Sequence, residues 1–308
     1  MQGLGDLAGG SFGSTANAVS ADGATVWGNG TTVNFDEAFQ WTSGGGMQLL
    51  DQVGGTPMNF ARSVSSDGSF VAGNAGGIAV RSESGGGQFL GTMTGGSYSN
   101  GQAISSDGST IVGDGNSAAG IQSFRWTSAG GMEALGLGTD GVGFGGALGV
   151  NADGTVVVGF YYDSVGGHAY RWTAETGIVS LGDLAGGSVG SSASAVSADG
   201  SFVVGTGASD AGIEAMFWTE ATGMVSLYDF VSGQGVDLTG WSGFNSATAI
   251  SGDGDSIVGS GVYLGNTQAF ILSGVSGLSA VPEPGSFALF AGLAGLLLSG
   301  TRRRRRCA

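Results

Sequence analysis

Apolar residues along this chain come in short runs rich in Val, Ile, Phe and Trp, broken by Gly and small polar residues. That pattern predicts many short strands joined by tight turns. The runs recur in a fixed order. A Ser/Asn-x-Asp-Gly segment carries its aspartate at Asp22, Asp67, Asp107, Asp153, Asp199 and Asp253, with spacings of 45, 40, 46, 46 and 54 residues. An apolar pair and Gly follow, as in Ile111-Val112-Gly113, Val157-Val158-Gly159 and Ile257-Val258-Gly259. Next comes an aromatic strand, Ala38-Phe-Gln-Trp-Thr, Ser123-Phe-Arg-Trp-Thr, Ala169-Tyr-Arg-Trp-Thr or Ala215-Met-Phe-Trp-Thr, and each unit closes on Gly-Met or Gly-Ile and a Leu. Alternation puts Phe39 and Trp41, and their equivalents, on one face of the third strand.

Ser-x-Asp-Gly suits a three-residue hairpin, a type I turn followed by Gly in the left-handed conformation. Asp caps the turn with its own carboxylate and Gly supplies the positive φ. Four strands per unit of 40–50 residues predict an all-β fold, a β-propeller of about six four-stranded blades over residues 1–280. The second unit, with Ala79-Val-Arg-Ser in place of Phe-x-Trp-Thr, predicts a thin blade. Ring closure stays open. The last outer strand is either Val275 to Val281, or Met1 to Leu7 pairing back.

Composition fits a packed, glycine-rich β body: 66 Gly, 3 Pro, 41% hydrophobic and only 11% charged residues, too apolar to be disordered. Charge is segregated. Residues 1–301 hold Arg62, Arg81, Arg125 and Arg171 against 24 acidic groups, while Arg302, Arg303, Arg304, Arg305 and Arg306 lie near the end of the sequence. Such an acidic body repels phosphate backbones, which argues against nucleic acid as a partner. The single Cys307 lies in the tail, so no disulfide forms within the chain, and compartment is left undecided by cysteine.

Few residues carry candidate chemistry. His168 is the only histidine and fills a slot held elsewhere by Glu37, Gln122, Glu214 and Gln268, which the repeat explains. With one His and no body Cys, a Cys/His metal site is excluded. The six turn aspartates read as turn caps. A calcium role needs several oxygens converging in one loop, and only Asp253-Gly-Asp255 approaches that. Arg81, Arg125 and Arg171 share one strand column and read as packing or pairing across blades. Trp41, Trp126, Trp172 and Trp218 share another and read as inter-blade core. Trp241, in the long stretch from Tyr228 to Asn245, is the candidate ligand contact, either a sugar-stacking platform or a Trp folded under its own loop.

The tail, 281–308, reads Val281-Pro282-Glu283-Pro284, then a sixteen-residue apolar run from Gly285 to Gly300, then Thr301 and the Arg cluster. That run is short for a spanning helix of roughly 20 residues, and the Arg cluster places its far end in the cytoplasm with 1–281 outside. The order of motif, helix and basic stop resembles the PEP-CTERM sorting signal of Gram-negative, exopolysaccharide-producing bacteria. The resemblance implies a transmembrane helix in an inner-membrane precursor. An exosortase-type enzyme would cleave near Pro282-Glu283-Pro284 and release the body to the cell surface or extracellular matrix. Met1 to Leu7 (MQGLGDL) resembles mid-repeat segments such as Ile178 to Leu184 rather than a signal peptide. Met1 is therefore expected to be an internal methionine with the true N-terminus upstream, and six blades become seven if the chain is truncated there.

The units themselves resemble the HAF repeats of bacterial extracellular proteins, a family with no activity to carry over. The leading expectation is a non-enzymatic, exported binding or structural protein, with exopolysaccharide or another envelope component as the partner and no cofactor beyond calcium. A propeller glycan hydrolase would need two facing carboxylates about 5–10 Å apart, and a calcium-stabilised scaffold would lose stability with chelator.

Overall fold

A computed structural model describes residues 3–33, 35–136 and 144–278. Among them the chain folds into successive antiparallel meanders, one per sequence unit. Unit 1 holds β1 (Ser14–Val19), β2 (Thr25–Thr31), β3 (Asp36–Thr42) and β4 (Gly46–Leu49). Unit 2 holds β5 (Met58–Val64), β6 (Phe70–Ala75), β7 (Ile78–Glu83) and β8 (Gly86–Gly91). Unit 3 holds β9 (Ser99–Ile104), β10 (Thr110–Ser117), β11 (Gly120–Thr127) and β12 (Gly131–Gly136). Unit 4 holds β13 (Gly145–Val150), β14 (Val156–Tyr162), β15 (Gly167–Thr173) and β16 (Gly177–Ser180). Unit 5 holds β17 (Gly186–Val196), β18 (Val203–Ser209), β19 (Gly212–Thr219) and β20 (Gly223–Ser226), and one parallel bridge, Gly167 to Gly190, ties it to unit 4. Helix α1 (Leu227–Gly233), capped by Ser226, precedes unit 6, which shows three strands: β21 (Trp241–Ile250), β22 (Ser256–Tyr263) and β23 (Asn266–Ser273).

The recurring Gly after the apolar pair has a steric cause. In every unit the first strand slips register by one residue opposite it, as between Ala61 and Ser63 or between Ala147 and Gly149. The bulge thrusts a backbone carbonyl of the first strand at Gly28, Gly73, Gly113, Gly159, Gly205 or Gly259, and a Cβ there would collide with it.

Each sheet packs a trailing face against the leading face of the next, and every such contact has its own apolar cluster. Trp27 and Ala38 of unit 1 meet Met58, Ala61, Val71 and Val80 of unit 2. Ala72 and Ala79 meet Ile104, Ile111, Phe124 and Trp126. Val112 meets Ala147, Val157, Tyr170 and Trp172. Val158 and Ala169 meet Ala193, Val203 and Met216. Val204, Ala215 and Phe217 meet Phe244, Ala247, Ile257 and Phe270, with Leu227 and Val231 of α1 filling the flank. Burial of this kind contributes about 25 cal/mol per Å2 of apolar surface, and here it is distributed between neighbours rather than gathered into one core.

Several sequence expectations need correction. The second unit is not thin; β7, built from the divergent Ala79-Val80-Arg81-Ser82, pairs on both sides. Of the segment Met1 to Leu7, the described residues 3–7 pair with no strand of the last sheet: Leu7 is buried in unit 1 against Gly30, and the Asp6 carboxylate accepts the Gly13 N–H. Val275–Gly277 is a single 3-10 turn rather than a strand. Trp241 does not stand on an inserted loop: it opens β21, half-buried against Phe244, Tyr263 and Phe270. Among the described residues no helix is long and apolar enough to cross a membrane. Val281, Pro282, Glu283, Pro284, the apolar run and Arg302 to Arg306 lie outside the described residues.

Candidate binding surface

The Asp-Gly turns show how the repeat spends its charged groups. In unit 1 the Ser20 hydroxyl donates to Asp22 Oδ1 (2.6 Å), which also accepts the Ala24 N–H (2.9 Å). Ser20's own carbonyl accepts the Gly23 N–H, so its hydroxyl oxygen takes the Thr25 N–H instead. Four residues therefore loop between the paired Ser20 and Thr25, not three, with Gly23 at φ 71°. Asp67, Asp107, Asp199 and Asp253 repeat the arrangement with Ser65, Ser105, Ser197 and Ser251. Asp153 instead takes the Thr155 hydroxyl and N–H. Hydrogen bonds to the charged form lower all six carboxyls. The Ser20, Ser105, Thr155, Ser197 and Ser251 hydroxyls lead for five of them. The Ser69 N–H leads for Asp67, held at about 2.

The arginine column reaches across to the next unit. Nε of Arg81, Arg125 and Arg171 donates to the carbonyls of Gly108, Gly154 and Gly200, each the glycine of the following turn, at 2.9, 2.9 and 3.3 Å. Arg81 also lies 3.5 Å over the Phe70 ring. Of the tryptophan column, Trp126 and Trp172 are buried between units, and Trp41 and Trp218 are half-buried. Clefts open beside these columns, one of about 500 Å3 lined by Arg125, Arg171, Trp172, Glu175 and Asp199. Their arginine Nε atoms are already committed to backbone.

His168 is part of the seam between units 4 and 5. Its Nε2 lies 3.0 Å from Asp163 Oδ1, its Nδ1 4.0 Å from Asp183 Oδ2, and its ring stacks on Tyr161 at 4.9 Å. The Asp163 carboxyl is lowered chiefly by the Val165 N–H. The nearby Ser191 hydroxyl shares its one proton between Asp183 Oδ1 and the Gly182 carbonyl, and its oxygen accepts the Ala169 N–H. Asp255, half of the Asp253-Gly-Asp255 pair, accepts the Gly274 N–H and the Ser276 hydroxyl. No group of three His, Cys, Asp or Glu suited to a metal occurs among the described residues.

A different column occupies the position after the bulge-facing glycine: Asn29, Asn74, Asp114, Phe160, Thr206 and Ser260. Between units 2 and 4 it forms a polar run that ends on aromatic rings. Asn74 Nδ2 donates to Asn100 Oδ1, Asn100 Nδ2 to Asp114 Oδ2 (3.0 Å), and Gln102 Nε2 to Asp114 Oδ1 (3.1 Å). Asn74 Oδ1 is buried and has no partner among the described residues. Tyr98 is raised by burial and by the Asp114 charge. On the next unit, Phe144 and Tyr162 stack at 4.6 Å with an interplanar angle of 19°, and Phe160 meets both edge-on at 6.3 and 5.9 Å. The stacked rings are 46% and 43% exposed. Gly146 joins the two halves: a Cβ there would lie 3.3 Å from Phe160 and 3.6 Å from Asp114.

Sequence reasoning passed over these residues. The signal was present as a repeat column whose occupant changes from amide to carboxylate to aromatic while the flanking glycine stays the same.

The sequence matches no family profile and no curated protein. Among solved structures it is similar to a prolyl endopeptidase, at 12% identity and a TM-score of 0.56, over 88% of this chain and 42% of that one. It is also similar to prolyl oligopeptidase B from Galerina marginata, at 9% identity and a TM-score of 0.53, over 89% and 43%. A TolB protein from Agrobacterium tumefaciens aligns at 15% identity and a TM-score of 0.50, over 75% and 81%. The chain thus spans less than half the length of either peptidase. At such identities the likeness shows the fold alone, an all-β array of four-stranded antiparallel sheets like that of β-propeller proteins.

Proposed function

We propose that this protein is an exported, non-catalytic propeller module that binds polysaccharide at the cell surface or in the extracellular matrix. Its six units act as blades, and the tail at 281–308 serves as an exosortase-type sorting signal through an inner-membrane precursor. The observation that carries the binding reading is the exposed Phe144–Tyr162 stack beside the Asn74–Asn100–Asp114–Gln102 run. A sugar ring presents an apolar C–H face and hydroxyls that both donate and accept. Aromatic faces take the first, while a carboxylate with spare lone pairs and amides take the second. The repeated Asp and Arg columns support a non-catalytic reading, since their hydrogen bonds go to their own turns and to the neighbouring blade.

The full chain in detergent, passed over immobilised acidic and neutral bacterial polysaccharides, tests this. Retention of the wild type, lost on Phe144→Ala/Tyr162→Ala and weakened on Asp114→Ala, is the expected result. No retention, or equal retention of all three, overturns the reading.

A further inference from the structure

Of the four arginines in residues 1–301, three spend Nε on a turn glycine of the next unit, and Arg62 does not. It stands exposed on β5, its guanidinium carbon 5.1 Å from the centre of the Phe60 ring. Among the described residues it makes neither a hydrogen bond nor an ion pair, the ion pairs there being those of His168. In a stretch with 24 acidic groups and no lysine, this is unspent positive charge.

The register slip of the first strand defines where Arg62 sits. Asn17, Arg62 and Gln102 are the residues skipped there, between Ala16 and Ala18, Ala61 and Ser63, and Gly101 and Ala103. In units 1 and 3 the skipped side chain turns onto the residue after the bulge-facing glycine. Asn17 Nδ2 donates to Asn29 Oδ1 (2.8 Å), and Gln102 Nε2 donates to Asp114 Oδ1 (3.1 Å). Unit 2 breaks this rule. Asn74 donates instead to Asn100 of unit 3, its buried Oδ1 has no partner among the described residues, and Arg62, the donor at this place, is left uncommitted. Asn17 Nδ2 also reaches the Ala61 carbonyl, next to Arg62 in the chain. Arg62 therefore belongs to the column that supplies Gln102 to the polar run, one unit before Gln102 and two before the Phe144–Tyr162 stack.

We propose that Arg62 is a further binding residue, a subsite for a singly charged sugar oxyanion, the carboxylate of a uronic acid or a sulfate ester, and that the polysaccharide is therefore an acidic one. The inference rests on the polysaccharide reading above. A guanidinium is a planar fork whose parallel N–H groups match two oxygens of one anion, and here the protein gives those groups no oxygen acceptor. Stack and guanidinium lie two units apart, so they serve different sugars of one linear chain, with the amides between them available to the hydroxyls of the intervening sugars. The acidic body repels such a chain at long range. At physiological ionic strength that field decays over about 8 Å, whereas a pair closed under the bound chain is screened much less.

Calorimetric titration of the full chain in detergent, at about 0.15 M salt, with hexamers of galacturonate, of sulfated glucose and of unmodified glucose tests this. One of the two acidic hexamers should bind at least about fivefold more tightly than the neutral one, and which of them does so names the oxyanion. Arg62→Gln places the residue type of Gln102 at the unit 2 position. It should bring that acidic hexamer to the affinity of the neutral one. The neutral hexamer should stay within about twofold and the melting temperature should not move, which shows that the variant folds. Phe144→Ala/Tyr162→Ala should weaken all three hexamers alike. Equal affinities in the wild type, or an acidic preference that survives Arg62→Gln, overturn the proposal and leave the polysaccharide reading in place. No binding of any hexamer overturns it together with that reading.

Discussion

Tyr170 and Ser123 offer a direct measure of what holds one unit to the next. Tyr170, on the leading face of unit 4, is completely buried, and its hydroxyl donates to Ser123 Oγ of unit 3 at 2.9 Å. Burial pushes the phenol well above its ordinary titration range, so it remains a neutral donor. Tyr170→Phe keeps the ring in place and strips Ser123, itself only 1% exposed, of that partner. The cost is about 1–2 kcal/mol, a net hydrogen bond plus the desolvation of a stranded group. Ser123→Ala strands the phenol instead and costs about the same. The double variant leaves apolar groups on both sides, so its loss should fall short of the sum by about 1 kcal/mol. In urea, with far-UV circular dichroism and tryptophan fluorescence required to agree, an m-value of about 3 kcal/mol/M turns 1.5 kcal/mol into a midpoint shift of about 0.5 M. Tyr162→Phe, on an exposed ring, should move the midpoint negligibly. Additivity of the two single changes to within about 0.3 kcal/mol would refute the reasoning.

Three further outcomes are expected. The turn aspartates are lowered in the folded state, so their stabilisation is complete above the ordinary value of 3.8 and lost as pH falls toward about 2, the value for Asp67. Melting temperature should therefore hold from pH 7 to about 5 and fall between about 4 and 2, with a shallower fall in Asp107→Asn/Asp199→Asn. Val112→Ala removes two buried carbon atoms and should cost about 2 kcal/mol, whereas Val258→Ala in dilute protein should cost under about 1, because solvent already reaches it. Equal losses would mean that unit 6 is covered in solution. Replacing Pro282-Glu283-Pro284 by alanines in an exosortase-bearing host should leave full-length precursor in the membrane fraction, read by immunoblot; normal processing would count against the sorting assignment.

Much of the local structure was legible in the sequence because the chain repeats it. Ser-x-Asp-Gly encodes its turn within six residues, and hydroxyl, carboxylate and left-handed glycine act there without help from the rest of the fold. The cross-unit role of Arg81, Arg125 and Arg171 was also readable, since a charged column repeated beside an aromatic one has few other uses. The four-residue loop length was not, because it depends on whether the Ser carbonyl or its hydroxyl receives the closing N–H, a choice between two acceptors on one residue.

What only the tertiary structure decided depends on one sheet lying against another. Asp114 and Phe160 occupy the same column 46 residues apart, and nothing local joins them. They meet across Gly146 because the trailing face of unit 3 packs on the leading face of unit 4. The fate of Trp241 was likewise set by the apolar surface around it, where Phe244, Tyr263 and Phe270 offered the indole a better partner than water. The trailing face of unit 6 makes the same point from the other side: Val258 follows the same sequence pattern as Val112, yet it is 37% exposed where Val112 is buried under the sheet of unit 4.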